Sequence, residues 1–340
     1  MKNLSKPFFD LFSKRNFSVL IISLLLSFAA CGGDGGDDDG AGSPLDKWTV
    51  VGDFGIAHGI AYGNNKFVVV GSGGYMKYSD DSTATTWTQV VNSTFGGSTI
   101  NGIAYGDDTF VAGGDAGKMA YSGSTATTWT QVATSPFGAS IHGIAYDGNN
   151  RFVAVGSATG IGGRIAFSDN KGVTWETVVN STFGVEIIYS IAYGNNRFVA
   201  VGGSGKMAYS DDGKNWTAVT DSTFGTDNYP DIYGIAYGNN RFVAVGVRGK
   251  MAYSDDGKNW KAVTDSKLGG YHINGIAYGN NKFVAVCTNG KIAYSEDNGV
   301  TWTAVTDSKF SKEQHINGIA YGNNRFVAVG SGKIAYSIVK

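Results

Sequence analysis

The chain has 340 residues, among them 51 glycines, 4 prolines, 2 cysteines and 7 tryptophans. Glycine at about twice ordinary usage, with almost no proline, excludes proline-rich linkers and collagen, and 42% hydrophobic against 16% charged residues excludes global disorder. The balance of 27 basic and 28 acidic side chains offers no electrostatic footprint for nucleic acid.

In chain order, Lys2, Lys6, Lys14 and Arg15 come first, then an apolar run from Phe17 to Ala30, then Cys31. A basic head, an apolar run too short to span a bilayer and the small pair Ala29-Ala30 read as an export signal over residues 1–30. The Ala-Ala-Cys ending resembles the lipobox of bacterial lipoproteins. That resemblance implies lipidation of Cys31, which places the mature protein in the bacterial cell envelope, at the outer membrane, on its periplasmic or surface face. Residues 31–46 then form the lipidated cysteine and a Gly/Asp tether with nothing large enough to bury. With Cys31 lipidated, Cys287 has no disulfide partner and reads as a buried, inert thiol.

From residue 59 one unit recurs seven times, as in GIAYGNNKFVVVG (59–71) and GIAYGNNRFVAVG (234–246), with the isoleucines spaced 41 to 47 residues apart. A period in the forties without helical periodicity predicts four-stranded antiparallel blades around an axis, an all-β, seven-bladed propeller over residues 47–340. In the fifth copy the strands are read as 232–237, 241–245, 250–253 and 260–264, the first pair joined by Asn239-Asn240, a turn pair that tolerates positive φ. Six copies open a fourth strand on Trp: Trp87, Trp129, Trp175, Trp216, Trp260 and Trp302. The seventh copy stops after its third strand, and the seventh tryptophan, Trp48, stands before the first copy. Residues 47–51 are therefore expected to supply the missing outer strand, closing the ring and removing an open sheet edge.

Ser295 to Trp302 spells S-x-D-x-G-x-T-W, and Ser168–Trp175, Ser210–Trp216 and Ser254–Trp260 are close variants. This resembles the Asp-box, or BNR repeat, so the body looks like the Asp-box propellers of sialidases, sortilin-type receptors and photosystem assembly factors. The resemblance is specific for fold and poor for function, because the motif is a hairpin device. A sialidase would need three arginines gathered near the axis. Here Arg151, Arg197, Arg241 and Arg325 share one repeat position and read as turn-flanking surface residues, leaving only Arg164 and Arg248 elsewhere. No nucleophile elbow, phosphate loop or paired metal-ligand motif is present. The expectation is thus no enzyme, no cofactor, no metal site and no catalytic residue.

The turns after strands one and three fall on one face and are repetitive, whereas the loops after strands two and four fall on the other and vary. Recognition on rigid scaffolds usually resides in such loops. Immediately before each first strand stand His58, Asn101, His142, Tyr189, Tyr233, Asn274 and Asn317, all polar-capable and expected to line the mouth of the axial channel. They are the candidate ligand-binding residues, and the four histidines (His58, His142, His272, His315) lie in the same loops. A Phe or Leu after each fourth strand (Phe54, Phe95, Phe137, Phe183, Phe224, Leu268, Phe310) is expected to plug the gaps between blades. The leading reading is a monomeric, membrane-anchored binding or assembly module for a protein or carbohydrate ligand. The alternatives are a carbohydrate-active enzyme, a hydrolase or lyase using Glu186, Asp231 or Glu313, and a structural surface protein.

Overall fold

The structure, a computed structural model, describes residues 45, 47–79, 81–160, 162–225 and 230–339. The expected export signal and Cys31, with nearly all of the tether, lie outside the described residues. The described chain forms seven four-stranded antiparallel sheets. Their inner strands are Ala57–Gly63, Ile100–Gly106, Ile141–Tyr146, Ile188–Gly194, Ile232–Gly238, Ile273–Gly279 and Ile316–Gly322. Each pairs with a second strand such as Arg241–Gly246, whose Phe242, Val243, Ala244 and Val245 are wholly buried because neighbouring blades cover both of its faces. Asn239 and Asn240 between them have φ of 45° and 59°, the left-handed pair that a two-residue hairpin turn requires.

The seventh blade is closed as expected. Trp48–Gly52 pairs with Ile334–Ile338, setting Trp48 opposite Ser337 and Val50 opposite Ala335, outside the strands Arg325–Gly330 and Ile316–Gly322. Trp48 is 2% exposed and shares a core with Leu45, Phe326 and Val339. Closure is repeated on both faces, where Asn317 Nδ2 donates to the Ala57 carbonyl at 2.8 Å and Asn323 Nδ2 to the Ser82 carbonyl at 3.0 Å. A Cβ on Gly238 would fall within the ring of Tyr278 in the next blade, and one on Gly322 would meet Tyr62 across the seam in the same way. Only glycine lets the inner strands approach this closely.

Seven apolar clusters lie between consecutive blades, not within them. In one, Val199, Val201 and Met207 of the fourth blade meet Phe242, Ala244 and Trp260 of the fifth, with Phe224 filling the gap. All seven plug residues are buried, each contributing roughly 1.5–3 kcal/mol by leaving water. The outer strands are shorter than read from the sequence: in the fifth blade only Lys261–Ala262 pairs, rather than 260–264. Trp260 instead belongs to the preceding turn, where its indole N–H donates to the Gly257 carbonyl at 3.3 Å.

That turn also shows where its acidic side chain is used. Asp256 Oδ1 accepts the N–H groups of Lys258 and Asn259 at 2.8 Å, and Ser254 Oγ accepts that of Gly257 at 2.9 Å. Burial works to raise Asp256, but the hydrogen bonds from Asn259 and Lys258 outweigh it and hold the carboxyl well below its usual range.

The repeated arginines flank the turns as read and also pack into them. Arg151, Arg197 and Arg241 are half-buried, their side chains 20, 15 and 17% exposed. Arg197 Nε and Arg241 Nε each sit 2.6 Å from Asp211 and Asp255 of their own blades, while Arg241 Nη1 reaches the Asn298 carbonyl of the next blade at 3.2 Å. A guanidinium carries enough donors in a rigid fork to serve both blades at once. At the seam the pattern fails: Arg325 stacks 4.5 Å from the Tyr336 ring, but its buried Nη1 finds no acceptor among the described residues.

Candidate functional site

The inner and second strands pair with one register shift in every blade. It falls between Ala57 and Gly59, Ile100 and Gly102, Ile141 and Gly143, Ile188 and Ser190, Ile232 and Gly234, Ile273 and Gly275, and Ile316 and Gly318. The bulged residue is thus His58, Asn101, His142, Tyr189, Tyr233, Asn274 or Asn317, the seven positions picked out by sequence. A bulge leaves one residue out of the ladder and re-aims its side chain. The glycine that follows it permits tight convergence, since a Cβ on Gly102 would stand 2.7 Å from the His142 carbonyl.

Inner-strand residues from all seven blades line a cavity of about 260 Å³ on the axis. Asn101, His142, Tyr189, Tyr233 and Asn274 are among its walls; His58 and Asn317 are not. The seven positions therefore do not act alike. Asn101, Asn274 and Asn317 each donate Nδ2 to the backbone carbonyl just before the next blade's bulge, at Ile141 (3.3 Å), Ile316 (2.9 Å) and Ala57 (2.8 Å). Asn101 also donates to Asp115 Oδ1 at 3.0 Å. These three asparagines clasp blade to blade. His58 turns to its own blade, with Nε2 2.9 Å from Ser72 Oγ.

The other side of the mouth is aromatic. His142 and Tyr189 have ring centroids 5.7 Å apart, Tyr189 and Tyr233 5.3 Å at 69°, and Tyr233 and His272 5.9 Å at 81°. Four consecutive blades thus present a continuous arc of rings in edge contact. Neither tyrosine hydroxyl has a hydrogen-bond partner among the described residues. Burial, followed by Asp231, Tyr233 and Glu186, pushes the Tyr189 phenol up to about 12. Burial lowers His58 and His142, partly offset by the negative charge of Asp115.

His272, two residues before the bulged Asn274, completes the arc and was grouped in the sequence only with the other loop histidines. Glu186 and Asp231, two of the alternative catalytic carboxylates, precede Tyr189 and Tyr233 by three and two residues. The bulges themselves left no signal beyond the repeated spacing of polar residue, glycine and isoleucine, with Ser190 in the glycine's place in the fourth blade. Cys287 is buried, and its thiol is pushed up to about 11 by that burial. Among the described residues no three His, Cys, Asp or Glu side chains gather as metal ligands.

Residues 189–314 match the family described as the DUF6242 beta propeller domain. No curated protein matches the chain. Among solved structures, YCF48 bound to D1 peptide superposes with a TM-score of 0.67 at 16% identity, covering 86% of this chain and 96% of that one. YCF48 from Cyanidioschyzon merolae gives 0.66 at 18% identity, covering 86% and 98%. The RRP9 WD40 repeats give 0.68 at 9% identity, covering 86% and 97%. These likenesses show the fold.

Proposed function

We propose that the protein is a non-catalytic binding or assembly module of the bacterial cell envelope, held through a lipid on Cys31, that takes its ligand at the aromatic side of the channel mouth. One observation carries this reading. On a rim whose other polar side chains are largely engaged with neighbouring backbone or side chains, His142, Tyr189, Tyr233 and His272 form a continuous ring surface with free phenols over an open cavity. Rigid amphipathic rings with unspent hydroxyls are the side chains that binding surfaces favour, whether for a protein segment or a glycan. YCF48, a propeller of the same fold, is described bound to D1 peptide, which supports a protein segment. A tyrosine held protonated to about 12 is a poor nucleophile, which supports binding over turnover.

Lys47 leads into Trp48 beside Ser337, and Val339 N–H donates to the Asn324 carbonyl at 2.9 Å, so the chain enters the ring on the face of the Asn-Asn turns.

Peptide and glycan arrays probed with the soluble propeller test this. The combined His142→Ala, Tyr189→Ala and Tyr233→Ala variant should lose about tenfold or more in affinity for whatever the wild type retains. An unchanged binding profile would refute the site. Polysaccharide turnover that disappears with Glu186→Gln would refute the non-catalytic reading. For the anchor, Cys31→Ser should move the protein from the membrane fraction to the soluble fraction.

A further inference from the structure

We infer that the arc between the fourth and fifth blades receives a cationic side chain, lysine or arginine, of an extended protein segment. The inference rests on the module reading above and names the chemistry of its ligand.

Glu186 stands three residues before Tyr189, and Asp231 two residues before Tyr233, in the loops that lead into the inner strands of these blades. Both carboxylates converge on Gly203, at the head of the turn Gly203–Gly205: a Cβ there would lie 2.9 Å from Glu186 Oε2 and 3.6 Å from Asp231 Oδ1. The glycine leaves the space in which two negative groups meet. Asp231 Oδ1 is held by the Ser204 N–H at 3.0 Å.

Neither carboxylate has an ion-pair partner among the described residues. Among the described residues, the ion pairs formed by Arg151, Arg197, Arg241 and several lysines all use other acids. The amine of Lys206, three residues beyond Gly203, is committed to the Phe183 carbonyl at 2.8 Å. The negative field reaches the arc, since Asp231 and Glu186 both contribute to holding the Tyr189 proton.

Two like charges close together without a counter-ion repel, and a ligand cation relieves that cost. The same cation gains from the faces of the flanking tyrosine rings, an attraction that strengthens where water is displaced. A neutral segment would leave the repulsion in place, and an acidic one would add to it. An extended strand presents a single side chain to this pair of carboxylates, whereas a helix is an element about 10 Å across.

The test uses blocked pentapeptides, glycine throughout except for a central lysine, arginine, norleucine or glutamate, titrated against the propeller by calorimetry. N-acetylglucosamine hexamer serves as a neutral glycan arm. Lysine and arginine peptides should bind about tenfold or more tighter than norleucine, with glutamate weakest. The pair Glu186→Gln and Asp231→Asn keeps shape and leaves an oxygen to accept the Ser204 N–H, so folding should be unaffected; it should erase the preference for lysine while Tyr189→Ala weakens all arms. Equal affinity for lysine and norleucine, or a preference that survives the double variant, would overturn the cationic inference and leave the module reading intact. Binding confined to the hexamer and lost in Tyr189→Ala would do the same. Failure of every peptide and of the hexamer would overturn the inference and count against the arc as a site.

Discussion

The two sides of the channel mouth are built from the same bulge in the same repeat, yet they do opposite things. On one side Asn101, Asn274 and Asn317 reach across to the next blade's backbone. On the other, Tyr189 and Tyr233 make no such bond among the described residues and meet edge to face, their ring centroids 5.3 Å apart. Blade-to-blade clasping and the proposed recognition thus draw on the same one position per blade.

The comparison can be broken most forcefully at the seam. Trp48→Ala removes a buried indole from the closing strand and should cost about 3–5 kcal/mol in chemical denaturation, more than any change at the mouth. Loss equal to that of a tether deletion would mean that closure does not govern stability. Next come the clasps. Asn317→Ala and Asn274→Ala should each cost about 1–3 kcal/mol, because the carbonyl of a buried residue loses its donor. Tyr233→Ala, by contrast, should cost less than the clasp variants while impairing binding. If the tyrosine variant proves the less stable, the division of labour is wrong. Installing a clasp sharpens the point: Tyr233→Asn should stabilise the joint between the fifth and sixth blades by about 1 kcal/mol and reduce ligand affinity.

The smallest effect expected is pH dependence. Burial lowers His58 and His142 below their unfolded value near 6.5, so the unfolded chain binds more protons as pH falls through that value. Stability contributed by the neutral imidazoles is full above 6.5 and declines below it. Asp256 and Asp212 act at lower pH, their depressed folded values giving stability that is present above about 4 and lost as acid protonates them. Thermal melts at pH 7 and 5 should show a decrease that His142→Gln partly removes; an unchanged decrease would exclude His142 as a cause.

Sequence made the ring legible because every repeat states it anew: the turn asparagines, the β-branched second strand and the orphan Trp48 each admit one arrangement. It also placed the seven mouth residues at equivalent positions. What it concealed was the difference among them, which depends on the partner that the next blade brings within reach. Asn317 meets Ala57, 260 residues earlier in the chain. The arginines were concealed in the same way. Arg241 looks like a solvated turn residue until Asn298 of the following blade is seen to accept from it. Such information resides in the joints between units, whereas a repeat describes only the unit.

The strand Trp48–Gly52 has a mechanical consequence. Tension between Lys47 and a ligand seated at the opposite face runs along the strand axis, so the ladder to Ile334–Ile338 is loaded in shear, its hydrogen bonds sharing the pull. A force applied at Gly52 across the strand would instead unzip them one by one. The way the chain enters its last blade therefore makes the joint nearest the tether resist pulling in the direction in which a captured partner would pull.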